Sequence, residues 1–225
     1  MDKRGNVIFT TANIMRITAI CAVISGLLVA KSWWDMPYIQ NYWYWSAALV
    51  ITHLVSLALS IVTCILTLIL ASKKKKLLMI LGIIHFALAA FLMAADLGQG
   101  FLPPEDMLVV AMLAFCYMIV AIISAIPDKN ETLSKETLRK KEIPMIICSV
   151  ISAVLAAFAI LFPKGHEVTI EGQHADGPIE IFTQIEYSAF DYVLYALIPI
   201  SLIALCIFLT CGARLSDRKK KVEAV

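Results

Sequence analysis

Long apolar runs separated by short polar stretches divide the chain into six segments, at about 14–30, 47–71, 77–95, 107–126, 143–162 and 192–211. Each is near the length of roughly 20 apolar residues that a helix needs to cross about 30 Å of hydrocarbon. The second run, at about 25 residues, would reach about 37 Å, so its helix is expected to tilt or to protrude. The expected fold is an all-α integral membrane protein, a six-transmembrane-helix bundle forming a single domain over 1–225.

The stretches between the runs carry their own signals. The N-terminal basic residues and first apolar run have the outline of a secretory signal. A cut after Ala30 would put Leu28 where a small residue is preferred, so an uncleaved first span is expected. Arg16 falls in the first turn of that span, within snorkelling reach of the headgroups. Ala22, Gly26 and Ala30 recur every four residues and allow a second backbone to come close. Trp33, Trp34, Tyr38, Tyr42, Trp43, Tyr44 and Trp45 crowd one loop, where amphipathic rings anchor at the headgroup level. An aromatic lid or sugar-stacking surface is the alternative there. Asp96, Gly98, Gly100, Pro103, Pro104, Glu105 and Asp106 mark a turn-rich acidic loop. The charged segment 128–142 reads as a solvated loop with a short surface helix, a docking site being its alternative. Pro144 would then sit in the first turn of the fifth span, where a missing N–H is harmless. Pro199 should kink the sixth. Residues 163–190 form the one sizeable polar loop. Alternation at 167–171 and 179–187, around a Gly- and Pro-containing centre, predicts a small extracytoplasmic β-hairpin between helices 5 and 6.

Composition turns six apolar runs into a membrane protein. The 225 residues are 60% hydrophobic and 16% charged, with a mean hydropathy of +0.84. Soluble domains run nearer about 45–50% and about 25%, and a globule could not hide this much apolar surface. Charge then sets direction. Lys73, Lys74, Lys75 and Lys76 fill a short turn between two spans, and clustered Lys in a short loop marks the cytoplasmic side. With that turn inside, seventeen of the nineteen Lys and Arg fall inside, and only Lys31 and Lys164 lie outside. A cell-membrane protein with both termini cytoplasmic is expected.

Candidate chemistry is sparse. The chain has no H-E-x-x-H, no G-x-S-x-G, no phosphate-cradling glycine loop and no mid-membrane carboxylate pair. Cys21, Cys64, Cys116, Cys148, Cys206 and Cys211 show no metal or disulfide spacing, so they read as small packing residues. Neither a metal nor a cofactor is expected, nor a nucleic-acid partner. Asn130 opens a glycosylation acceptor, on the wrong side for use. Polar groups concentrate in the second and third spans. His53, Ser56, Ser60, Thr63 and Thr67 recur at three or four residues, on one helical face. His85 and Asp96 share a face of the next helix, about 20° apart at 100° per residue. Counting up from the lysine turn puts His53 near Asp96, and His85 near the hydroxyls of Ser60 and Thr63.

Such groups serve either as fastenings between helices or as a proton- or cation-responsive path. Because they are few and lie toward the span ends, the expected function is a non-catalytic accessory or interaction subunit of a membrane assembly, immunity-type proteins included. Its partners would be the bilayer and another membrane or cytoplasmic protein. The alternative is a small permease or channel-like transporter with a path lined by His53, His85 and Asp96. Six spans can be halved into opposed triplets, as in inverted-repeat carriers, but the loops of the two halves do not match.

Overall fold

The computed structural model describes residues 10–35, 47–99, 104–127, 134–162, 165–172 and 180–223. At 32–35, 47–50, 95–99, 104–107, 135, 166–172, 180–185, 220–221 and 223 this is the backbone alone. The helices are α1 (Thr11–Asp35), α2 (Ala47–Leu70), α3 (Lys75–Gln99), α4 (Pro104–Ala125), α5 (Lys135–Leu161) and α6 (Ala189–Glu223). All six are long and apolar enough to cross a membrane. Their side chains are distributed as lipid requires. Ile17, Leu54, Ile69, Ile84, Val154 and Ile200 are exposed, while Thr11, Ser25, Ser60, Thr67 and His85 are buried. The chain is a polytopic membrane protein.

Two compact units divide it: Met1–Ile146 with Cys206–Val225, and Ile147–Leu205. In the first unit α1 packs on α2 and α4, and α3 packs on the same two, so α1, α2, α3 and α4 stand in cyclic order. Ile14, Met15, Ala71, Leu78, Val120, Ala121 and Ala213 form the largest buried apolar cluster. Two glycines set the spacing of this ring. A Cβ on Gly26 would meet Leu57 Cδ1 at 3.3 Å, so α1 and α2 are close there. A Cβ on Gly82 would lie 3.1 Å from the Tyr117 ring and 3.4 Å from the Cα of Met118. Membrane helices gain contact area by this kind of close approach.

The turn between α2 and α3 is tighter than the lysine run implied. Leu70 O accepts the N–H groups of Lys73 and Lys74, each at 2.9 Å, while Lys75 and Lys76 already belong to α3. A larger correction concerns α5. Residues 135–142 are not a loop with a separate surface helix, and Pro144 is not in a first turn. One helix starts at Lys135 and carries Pro144 in its interior. Helix-favouring Lys, Glu, Leu and Arg make up most of 135–142. Ser134 caps this start by accepting the Thr137 N–H at 3.3 Å, and Glu136 pairs with Lys140 one turn on at 2.9 Å. The basic stretch after Gly212 is likewise helix, continuous with α6.

In the second unit, β1 (His166–Gly172) and β2 (Glu180–Glu186) pair antiparallel, from His166↔Glu186 to Gly172↔Glu180. Gly165, at φ 74°, supplies the left-handed residue just before β1. Ser188 and Asp191 then start α6 reciprocally. Asp191 N–H donates to Ser188 Oγ at 3.3 Å, and Ser188 N–H to Asp191 Oδ2 at 2.6 Å. This is a capping box with Asp in the acidic position. Beside it Phe162 meets Phe158 and Phe190, and Tyr187 meets Tyr192 and Tyr195, at ring separations of 5.3–6.2 Å.

Candidate functional site

A polar seam runs inside the ring of α1, α2, α3 and α4. The buried positions of α2 include Ser56, Ser60, Thr63 and Thr67, whereas Leu54, Ile61, Ile65 and Ile69 on its other side are exposed. On α3 the buried positions Leu78, Gly82, His85, Ala89 and Leu92 recur at four and three residues, the spacing of a helix–helix seam. His85 keeps only 3% of its surface exposed. It lies ten residues into α3, about 15 Å along, and Ser60 lies the same distance back from the end of α2. His53 is half-buried, on the α2 face that carries the hydroxyls and about 10 Å further from the turn than Ser60.

A hydrogen bond crosses the ring. Thr67 Oγ1 and Tyr117 Oη are 2.6 Å apart, joining α2 to α4. Thr67 also donates to the carbonyl of Thr63 at 2.7 Å. A hydroxyl has one proton, so Thr67 spends it on that carbonyl and Tyr117 is the donor to Thr67. Gly82 makes room for the Tyr117 ring.

The rest of the seam departs from expectation. His85 does not bond the Ser60 and Thr63 hydroxyls. Among the described residues His85 Nδ1, Ser60 Oγ, Thr63 Oγ1 and Ser124 Oγ are buried without a hydrogen-bond partner. Equal height along two helices does not bring groups together: their axes stand about 8–10 Å apart, and a hydrogen bond spans about 3 Å. Asp96 belongs to α3, but its side chain lies outside the described residues, so its pairing with His53 does too. The same holds for the Trp33 and Trp34 side chains, for Trp43 and Trp45, and for Asn130.

A second concentration of polar groups closes the basic end of the first unit. Thr11 opens α1, and its N–H and hydroxyl both reach Asp217 Oδ2 of α6, at 3.2 and 2.8 Å. Lys75 of α3 donates to the same Thr11 oxygen at 3.1 Å. A carboxylate thus caps the positive end of α1 from a helix 206 residues away. Cations serve the negative ends. Arg16 Nε donates to Leu68 O in the last turn of α2, at 3.2 Å. Arg214 sends Nη1 to Ile123 O and Nη2 to Ile126 O, both at 2.9 Å, where α4 ends. These carbonyls have no partner within their own helices, and positive charge suits that end of the dipole. Arg16, expected to reach the headgroups from the first turn of its span, is half-buried and makes its bond to Leu68 O at the exposed surface. Lys219 of α6 stands 3.8 Å from Glu142 of α5.

The hydroxyl stripe of α2 and His85 were legible from spacing. Tyr117, Thr11, Asp217 and Arg214 were not, since no short-range pattern links them to their partners. Among the described residues no group of three or more His, Cys, Asp or Glu is placed to hold a metal ion. No protein-family model, curated protein or solved structure matches the chain.

Proposed function

We propose that the protein is a non-catalytic accessory of a membrane assembly, and that its contact surface is a charged stem built from the first turns of α5 and the last turns of α6. The observation that carries this reading is that both segments are helix, tied together, rather than a loop and a tail. Residues 135–142 extend α5 by about 12 Å, and the twelve residues from Gly212 to Glu223 extend α6 by about 18 Å. Ser134 caps one segment, and the Lys219–Glu142 contact joins it to the other. The Glu136 and Lys140 side chains are more than three-quarters exposed. A pair so exposed contributes at most about 1 kcal/mol to stability, so fold stability alone gives little reason for its charges. Mixed charge on a rigid exposed helix suits recognition of a protein partner.

The test is photo-crosslinking in the native host from Arg139 and Ser216, with lipid-facing Ile151 as control. The stem positions should give an adduct of one defined mass, and Ile151 should not. Exchanging Glu136→Lys with Lys140→Glu keeps net charge and should abolish the adduct. A folded protein that gives no adduct from the stem overturns the proposal.

The unpartnered buried atoms of Ser60 and Thr63 on α2 and His85 on α3 favour a second reading, a proton- or cation-responsive path through the ring. Each buried polar atom left without a partner costs roughly 1–3 kcal/mol, so several in one seam are a poor fastening and a good lining for water or a cation. Proteoliposomes carrying a pH-sensitive dye, under an imposed potassium gradient, test this with protons as the probe. On this reading the intact protein conducts, and His85→Gln folds but does not, since an amide cannot titrate near the imidazole pKa of about 6.5. Equal proton leak with and without protein rejects it.

A further inference from the structure

The stem also borders an open cleft, which shares Lys140 with the contact surface. We infer that this cleft is a binding site for an anionic phospholipid, seating the phosphate headgroup among cations and the glycerol and first acyl carbons on an apolar floor. The cations are Lys140 and Lys141 from α5 with Arg214 and Arg218 from α6, and among the described residues no acidic side chain lines the space. The floor is Pro144, Met145, Cys211 and Leu215. Its volume is about 490 Å³. That lies within the range of about 300–1,000 Å³ occupied by small-molecule sites, and is far more than a bare ion needs.

Position within the helices identifies the ligand class. On α5 the lining passes from Lys140 and Lys141 to Pro144 and Met145, where the charged turns give way to the apolar run. On α6 it passes from Arg218 through Leu215 and Arg214 to Cys211, in the opposite chain direction. The cleft therefore begins at cations, Lys140, Lys141 and Arg218, and ends at apolar Pro144, Met145 and Cys211 where the membrane runs begin, the order in which a phospholipid presents phosphate, glycerol and chain. A soluble phosphate would have no use for the floor, and an acidic peptide none for a floor that faces hydrocarbon. Exposed Ile143 and Ile146 continue the apolar surface of α5. Pro144 shapes the cleft from beneath. Having no N–H, it cannot bond the carbonyl of Lys140, and its ring stands where a helix would otherwise have closed its ladder. Arg214 is held by the α4 carbonyls and contributes charge from a fixed place. Basic pockets at the ends of membrane helices gather anionic headgroups in this way, each nearby cation adding to the attraction.

The experiment uses the full chain in mild detergent, titrated with phosphatidylglycerol or with phosphatidylcholine of the same acyl chains. Native mass spectrometry reads the bound lipid, and a thermal melt reads its effect. Phosphatidylglycerol should bind at one lipid per chain and raise the melting temperature; phosphatidylcholine should do neither. Removing three cleft cations, by Lys140→Gln, Lys141→Gln and Arg218→Gln together, should weaken phosphatidylglycerol by about tenfold or more. Lys140→Arg with Lys141→Arg should retain it, which separates lost charge from a damaged fold. Lys73→Gln with Lys74→Gln removes two exposed cations outside the cleft and should leave affinity unchanged. Three results overturn the site: equal binding of the two lipids, equal loss from the turn variant, or full displacement of the lipid by glycerol phosphate, which would make it a soluble-anion site. None of these results depends on whether the stem also contacts a protein.

Discussion

Gly82 and Tyr117 show how a single residue governs the ring. Gly82→Ala would place a methyl carbon 3.1 Å from the Tyr117 ring, and the ring can yield only by disturbing its bond to Thr67. Gly82→Ala should lower the melting temperature in detergent moderately, and Gly82→Leu should abolish folded yield, because the α4 backbone at Met118 is also in the way. Tyr117→Phe keeps the ring and removes the donor, while Thr67→Val removes the acceptor. A double-mutant cycle on these two should return a coupling of about 0.6 kcal/mol, at most about 1.7, the range for hydrogen bonds between membrane helices. Zero coupling would mean that the bond does not form in the bilayer. Thr67 could be singled out in the sequence because hydroxyls spaced at three and four stand out in an apolar run. Tyr117 could not, since a lone ring in such a run looks like ordinary filling until its oxygen is seen facing Thr67.

At the scale of the element, α5 separates two properties that the sequence runs together. Hydropathy reports the solvent around a segment, and so the apolar run from 143 gave the span. It is silent on whether the backbone is already helical before the lipid begins, which for 135–142 depends on a cap at Ser134 and on helix-favouring residues. Reading a loop there then forced Pro144 into a first turn. Hydrogen exchange on the protein in detergent checks the difference: amides 139–142 should exchange orders of magnitude more slowly than an unstructured loop, and Ser134→Ala should speed them while leaving 150–160 unchanged. Removing such a cap costs about 1 kcal/mol. Loop-like exchange at 139–142 in the intact protein would restore the reading of a short span.

For the whole molecule, six apolar runs were enough to find six membrane helices, because a crossing demands a length and a composition that few other structures need. Orientation rests on the Lys and Arg bias alone, and the first unit gives that bias a physical partner. The lysine turn, the start of α1, the ends of α4 and α6 and the start of α5 are joined by named bonds at one end. They must therefore lie on one side of the membrane together. In a background without native cysteines, Ser134→Cys should react with an impermeant thiol reagent only after the membrane is opened, and Glu186→Cys should react in intact cells. Labelling of Ser134→Cys in sealed cells would reverse the orientation. The tie between Thr11 and Asp217 escaped the sequence for a plain reason. Its partners are 206 residues apart, and only the packing of α6 against the start of α1 brings them together.

That tie has a consequence for how the protein is made. During synthesis α1 leaves the ribosome first and α6 last of the helices described, so the amide and hydroxyl of Thr11 wait through the insertion of every other helix before Asp217 arrives. Until then the leading end of the chain keeps an open polar terminus at the membrane surface, with Lys75 as its neighbour. Asp217 therefore seals the first helix only once the last of the described helices is in place, and it does so from within the stem that carries the proposed contact surface and borders the cleft.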